Sequence, residues 1–175
     1  MYNNPNKIDG GSNIRGIIIP IIIVFLVVIG IVWGALTMDK KKVEKEVNMS
    51  SRETALLCTT DMATQFHIHP ELTIVIDGET QVIPTDIGIK PNCMNSIHTH
   101  DATGKIHVES PVKKDFTLGD FFAVWEKPFD KDHILDKTVD ANHVIEVTVN
   151  DKPVTTFENT VLVDLDKIVI TYKKK

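Results

Sequence analysis

The sequence predicts an α+β protein: a single N-terminal transmembrane helix followed by a small, mostly antiparallel β domain with one short amphipathic helix. Three observations support this fold class. Residues 16–36 are uncharged and apolar, apolar and polar residues alternate after about Cys58, and the segment after Thr117 has helical spacing of its apolar side chains. The predicted segments are a disordered tail (1–13), a transmembrane helix (14–37), a charged stalk (38–57) and a histidine-rich α+β domain (58–175).

The apolar run is long enough to cross a bilayer. Its 21 residues would span about 31 Å as a helix. A cleaved signal peptide has an apolar core of only about 7 to 15 residues. The run is therefore interpreted as an uncleaved, single-pass anchor, with Pro20 close to its start and Trp33 near the far interface.

The orientation of the anchor depends on two opposing signals. Basic residues are more numerous after the run than before it, which favours a cytoplasmic C-terminal domain. Long domains, however, cross the membrane largely regardless of flanking charge, and two cysteines after the anchor favour an oxidising compartment. We predict an extracytoplasmic domain on the cell membrane. The basic residues are Lys7 and Arg15 before the run, and Lys40, Lys41, Lys42, Lys45 and Arg52 after it.

The charge balance argues against nucleic-acid binding. The chain of 175 residues has a formal net charge of −5, and from residue 57 onward 19 acids face 12 bases. Such a surface repels phosphate backbones. The apolar run instead makes the membrane the expected partner, with a larger membrane protein complex as a further candidate.

Two hairpins and a final strand are predicted from alternation of apolar and polar residues. Each hairpin has an alternating strand followed by a two-residue turn. They are residues 72–76 with the turn Asp77-Gly78, residues 145–149 with the turn Asn150-Asp151, and a last strand over 167–172.

The short helix is predicted to begin after Thr117, an N-cap residue with Asp120 at the third helical position. Its apolar side chains recur at intervals of three and four residues, so the helix should pack on the sheet as part of the core. They are Leu118, Phe121, Phe122 and Trp125.

The histidines are the main candidate functional residues of the sequence. Five of the seven lie between positions 67 and 107, as two His-x-His pairs and one further histidine. Because residues i and i+2 of a strand share a face, each pair projects two imidazoles together. A four-residue loop, Asp101 to Gly104, would place His98 opposite His107 in a hairpin.

Clustered imidazoles beside a carboxylate are ligands that Zn²⁺ or copper prefers. The alternative is a set of exposed or hydrogen-bonded histidines without a metal. His133 and His143 lie outside the pattern and are expected to be surface or core residues. The predicted metal ligands are His67, His69, His98, His100, His107 and Glu109.

The two cysteines, Cys58 and Cys93, each precede one His-x-His pair. A disulfide between them would tie the two histidine segments together. The alternatives are that Cys93 is itself a metal ligand, or that both are buried thiols.

The string IHTHDATGKIHVESPVKKDFTLGDFFAVW, from Ile97 to Trp125, resembles a family of uncharacterised membrane-anchored domains of archaea and actinobacteria. Members share the histidine motif and close with two strands joined by an Asn-Gly turn. Here Asp151 replaces the turn glycine. The resemblance implies a membrane-anchored domain and carries no assigned activity.

Three functional hypotheses follow. The first is an extracytoplasmic domain that binds Zn or Cu, in metal handling or as an accessory part of a membrane complex. The second is a metal-dependent hydrolase-type enzyme, for which Glu109 or Asp101 would supply the acid or base. The third is a structural ectodomain that packs on a membrane partner. The first two differ in whether the metal keeps an open ligand position.

Overall fold

The computed structural model describes residues 14–60 and 64–175; the predicted tail over 1–13 lies outside these ranges. The described chain divides into two units, with the boundary between Lys42 and Val43. The α+β fold class predicted from the sequence is confirmed. In chain order the elements are α1 (Ile14–Asn48), α2 (Ser51–Leu56), β1 (Cys58–Thr59), β2 (Phe66–Ile68), β3 (Glu71–Ile76), β4 (Glu79–Gln81), β5 (Ile89–Lys90), β6 (Cys93–Asn95), β7 (Ile97–His98), β8 (His107–Ser110), α3 (Leu118–Trp125), β9 (His133–Ile134), β10 (Lys137–Thr138), β11 (His143–Val149), β12 (Lys152–Val154) and β13 (Lys167–Lys174), with a 3₁₀ turn at Phe157–Asn159.

Helix α1 contains the predicted apolar run. Its segment Ile21–Met38 has a mean hydropathy of 2.8, and none of it is buried. Within the described ranges this is the one helix long and apolar enough to cross a membrane, either as an anchor or as a signal sequence. The helix continues without a break to Asn48, through most of the segment predicted as a charged stalk.

Helix α2 is a second short helix, which the sequence analysis does not predict. Ser50 is its N-cap and accepts a hydrogen bond from the backbone N–H of Glu53, while the Glu53 carboxylate accepts one from the backbone N–H of Ser50. This reciprocal capping box satisfies two backbone donors that a helix start leaves free. The Ser-x-x-Glu spacing of Ser50 and Glu53 is the sequence signal for the start of this helix.

The main sheet has five strands in the order β12-β11-β13-β3-β4. Eight of the nine strand pairs among the described residues are antiparallel, so the mostly antiparallel prediction is confirmed. The ninth joins β13 to β3 in parallel and places the last strand at the centre of the sheet. Both strands bury alternate apolar side chains against the core, as Leu72, Ile74, Ile168 and Ile170 show.

Both predicted hairpins are present. The turn residues Asp77 and Gly78 have φ values of 51° and 89°, and Asn150 and Asp151 have values of 50° and 63°. Positive φ at both central residues defines the type I′ turn, whose twist matches that of the flanking strands.

Helix α3 begins where the sequence predicts. The Thr117 hydroxyl accepts a hydrogen bond from the backbone N–H of Asp120, and the Asp120 carboxylate accepts one from the backbone N–H of Thr117. Its apolar stripe packs into the core: Phe121 and Phe122 are almost fully buried, and Trp125 is partly buried. The amphipathic helix is therefore a core element.

Three smaller sheets complete the described part of the domain, with the strand orders β2-β8-β7, β1-β6-β5 and β10-β9. The first of them positions the histidines. Of the three alternatives for the cysteines, the structure has the disulfide, which joins Cys58 on β1 to Cys93 on β6. The disulfide lies close in sequence to Asn95, the last residue of β6, which contacts the histidine cluster.

Candidate metal centre

The histidine cluster is built on the sheet β2-β8-β7, with β8 in the middle. His98 on β7 lies directly opposite His107 on β8, as the predicted hairpin requires. On the other side of β8, His67 on β2 lies opposite Glu109. Since His107 and Glu109 are two residues apart, both project from the same face of the central strand.

The opposite face of this small sheet is apolar and closes onto the core. Ile68, Ile97, Ile106 and Val108 are at most 8% exposed. Burial of these four side chains fixes the register, because a slip of one residue would turn the histidines inward and the apolar side chains toward solvent. The alternation in the sequence therefore determines which face carries the imidazoles.

The inner pair, His98 and His100, lies at the β7 edge of this sheet. The His98 side chain is fully buried, whereas His100 is exposed. The His98 Nδ1 atom lies 3.1 Å from the backbone oxygen of Asn95. A carbonyl oxygen only accepts, so Nδ1 carries the proton and Nε2 holds the free lone pair. This Nε2 atom is 3.2 Å from Nε2 of His100.

The distance between these two Nε2 atoms suits a shared metal ion. Two nitrogens that bind one tetrahedral Zn²⁺ at about 2.0–2.1 Å lie about 3.3 Å apart. A hydrogen bond from the other ring nitrogen to a backbone carbonyl, as from His98 to Asn95, is the usual support of a metal-binding histidine.

The outer pair, His67 and His69, lies on and just after β2. Their ring centroids are 4.3 Å apart, and the side chains are 44% and 33% exposed. The Asp164 carboxylate holds the second residue in place, accepting a hydrogen bond of 2.8 Å from the backbone N–H of His69. The outer pair is thus more open to solvent than the buried ring of His98.

His107 lies between the two pairs. Its ring centroid is 4.7 Å from that of His69 and 4.6 Å from that of His100. It forms one triad with the outer pair and another with the inner pair, and within each triad the candidate ligand atoms all lie within 4.8 Å of one another. Either triad could hold a metal ion with modest side-chain movement.

Glu109 provides a carboxylate beside both pairs. Its Oε1 atom is 3.2 Å from Nε2 of His67 and 3.9 Å from Nε2 of His98, and its side chain is only 17% exposed. The other carboxylate oxygen accepts a hydrogen bond from the Thr64 hydroxyl. The predicted carboxylate therefore lies beside one histidine of each pair.

The electrostatics favour neutral imidazoles at the centre of the site. Burial, together with the neighbouring imidazoles of His100, His69 and His98, lowers the pKa of His107 to about 4. Burial also lowers the pKa of His98. A metal binds only the neutral ring, so at neutral pH these two side chains need not lose a proton before binding.

No protein-family model, curated protein or solved structure matches this chain. Support for a function therefore comes from the geometry of the histidine cluster.

The two remaining histidines form their hydrogen bonds with nearby aspartates and not with the cluster. His133 Nδ1 is 2.9 Å from the Asp130 carboxylate, and His143 Nδ1 is 2.8 Å from the Asp140 carboxylate. Each aspartate also accepts a hydrogen bond from the backbone N–H of its histidine, so these are local turn contacts. Both residues suit control substitutions.

Sequence reasoning missed the residues that support the site. The Asn95 carbonyl orients His98, Asp164 holds His69, and Thr64 contacts Glu109. Asp164 is 95 residues from its partner along the chain. The contacts of Asp164 and Thr64 depend on tertiary packing and leave no spacing pattern in the sequence, whereas Asn95 lies only three residues before His98.

Proposed function

We propose that the domain binds a divalent transition-metal ion, Zn²⁺ or Cu²⁺, through the histidine cluster. The observation that carries this proposal is the inner pair: two Nε2 atoms lie 3.2 Å apart, and the His98 ring is held by its bond to the Asn95 carbonyl. Imidazole ligands suit both ions, and the Irving–Williams order places Cu²⁺ above Zn²⁺ in affinity. Both cysteines are in the disulfide, so the site has imidazole and carboxylate donors.

The N-terminal helix and the disulfide support the cellular setting of this proposal. We place the protein in the cell membrane as a single-pass protein, with the metal-binding domain on the extracytoplasmic side, where disulfides persist. Its role is metal handling or that of an accessory part of a membrane complex. This setting agrees with the resemblance to membrane-anchored archaeal and actinobacterial domains.

Substitution of His100 tests the metal site. His100 is exposed, so replacing it should leave the fold intact. In equilibrium binding of Zn²⁺ and Cu²⁺ to the full chain in detergent micelles, His100→Ala should lower the affinity at least tenfold, which is about 1.4 kcal/mol. His133→Ala is the matched control, since it also removes an exposed imidazole. Equal affinities of the two variants would contradict the proposal.

Topology is tested separately by labelling lysines in intact cells with a membrane-impermeant reagent. The domain should be labelled without opening the membrane. Labelling that requires membrane permeabilisation would place the domain in the cytoplasm and contradict the extracytoplasmic assignment.

A metal-dependent hydrolase is the second candidate, and Glu109 is the observation that favours it. Three histidines leave one position of a tetrahedral ion open for water, and a carboxylate close to the ion can act as a base. Glu109→Gln should then abolish hydrolysis of a simple ester while leaving one metal ion bound. Without any metal binding, the histidines would serve a structural ectodomain that packs on a membrane partner.

A further inference from the structure

The cluster contains more donors than one ion requires. A tetrahedral site uses four ligands, whereas five imidazoles and one carboxylate converge on this sheet face. The donors are also arranged around a central strand. The outer pair lies at the β2 edge, the inner pair lies at the β7 edge, and β8 supplies His107 and Glu109 between them.

His107 cannot complete both triads at once. A neutral imidazole has one nitrogen with a free lone pair and one that carries a proton. If His107 binds an ion with one pair, the other pair needs a different third ligand. The domain thus has two histidine pairs that compete for one shared imidazole.

Glu109 is placed to supply the missing ligand. Its Oε1 atom lies 3.2 Å from His67 Nε2, on the outer pair, and 3.9 Å from His98 Nε2, on the inner pair. A carboxylate has two oxygens and can bind two cations at once, as in centres whose ions are about 3.5–4 Å apart. Its negative charge would also reduce the repulsion between two neighbouring ions.

We propose that the cluster binds two divalent transition-metal ions side by side, one at each histidine pair, with His107 and Glu109 between them. This inference rests on the proposed metal binding. Each ion receives the two imidazoles of its own pair and at least one donor from β8. The inner ion binds first, because the inner nitrogens are already at a suitable distance and the outer pair must close around its ion. The second ion binds more weakly, since it approaches a site that already carries positive charge.

Counting bound ions tests this proposal. Full-length protein in detergent micelles is dialysed against Cu²⁺, and bound copper is measured by mass spectrometry. Wild type should bind two ions, and the double variant His67→Ala/His69→Ala should bind one. The matched control, His133→Ala/His143→Ala, also removes two imidazoles and should retain two. His100→Ala removes the exposed member of the inner pair. It should lower the affinity for the first ion and leave the outer pair, which binds the second ion, intact.

Electron paramagnetic resonance provides an independent readout of proximity. Two Cu²⁺ ions a few ångströms apart couple, so fully loaded wild type should lose most of its ordinary signal. The His67→Ala/His69→Ala variant should give the full signal of one isolated ion. One bound ion in wild type, or two uncoupled ions, would overturn the two-ion centre and leave the proposed metal binding standing. Absence of any bound copper would overturn both.

Discussion

Gly104 is the position where a single methyl group tests how the histidine hairpin packs on the main sheet. Its φ is +85°, and a Cβ atom added there would lie 2.2 Å from the backbone oxygen of Leu72. The backbone oxygen of Gly104 also accepts a hydrogen bond of 2.9 Å from the backbone N–H of Leu72. A side chain at this position must therefore push the β7–β8 hairpin away from β3.

The cost of Gly104→Ala has two parts. A left-handed backbone conformation costs a non-glycine residue about 1–2 kcal/mol, and overpacking against a fixed neighbour costs about 1–3 kcal/mol. We expect a loss of about 2–5 kcal/mol in the free energy of unfolding. Gly78→Ala is the matched control, since its φ is +89° and nothing lies within 4 Å of the added Cβ. It should cost only the backbone part.

Urea unfolding of the metal-free chain in detergent micelles, followed by near-ultraviolet circular dichroism, measures both variants. The difference between them isolates the contact with Leu72. If Gly104→Ala is no more destabilising than Gly78→Ala, the hairpin does not pack against β3 as described.

Three further outcomes follow from core packing, titration and the disulfide. Phe121→Ala should cost about 3–5 kcal/mol of unfolding free energy, and Trp125→Ala less, because Phe121 is fully buried and Trp125 only partly. The pKa of His107 is about 4, below its usual value of 6.5. The metal-free unfolded chain therefore binds more protons than the folded chain between these values. His107 should contribute a fall in stability of about 1–2 kcal/mol as pH drops from 6.5 to 4, after allowance for solvent screening, and His98, whose pKa burial also lowers, adds to it in the same direction. Replacing Cys58 and Cys93 by serine should cost about 3–4 kcal/mol, since the disulfide closes a loop over a separation of 35 residues.

Urea unfolding measures all three outcomes, and a specific result would contradict each of them. Equal losses of unfolding free energy for Phe121→Ala and Trp125→Ala would mean that the two side chains are not buried to different extents. Stability that is constant or rises as the pH falls would contradict the lowered pKa of His107. An unchanged midpoint after cysteine replacement would show that the disulfide does not stabilise the domain.

The local parts of the fold were predictable because their signals are local. The type I′ turns at Asp77 and Asn150, and the start of α3 at Thr117, follow from residue types within a few positions. The pairing of His98 with His107 was also predictable, since a short loop and the alternation of apolar residues set the register of that hairpin.

The long-range pairings were not predictable in the same way. Strand β2 pairs with β8 across about 40 intervening residues, and this pairing places His67 opposite Glu109. The parallel pairing of β13 with β3 joins the two ends of the domain. Alternation shows which face of a strand is apolar, but it does not select the neighbouring strand. The sequence therefore indicates the donors of the site, and their arrangement around β8 requires the structure.

X-ray absorption of the Zn²⁺-loaded full-length chain tests the central claim most directly, because it reads the atoms bound to the metal. The histidine cluster predicts a first shell of nitrogen and oxygen at about 2.0–2.1 Å, with the outer-shell scattering of imidazole rings. This imidazole scattering should weaken in His100→Ala and stay unchanged in His133→Ala. A first shell without imidazole scattering, or one with sulfur at about 2.3 Å, would contradict the assignment of the metal to these histidines.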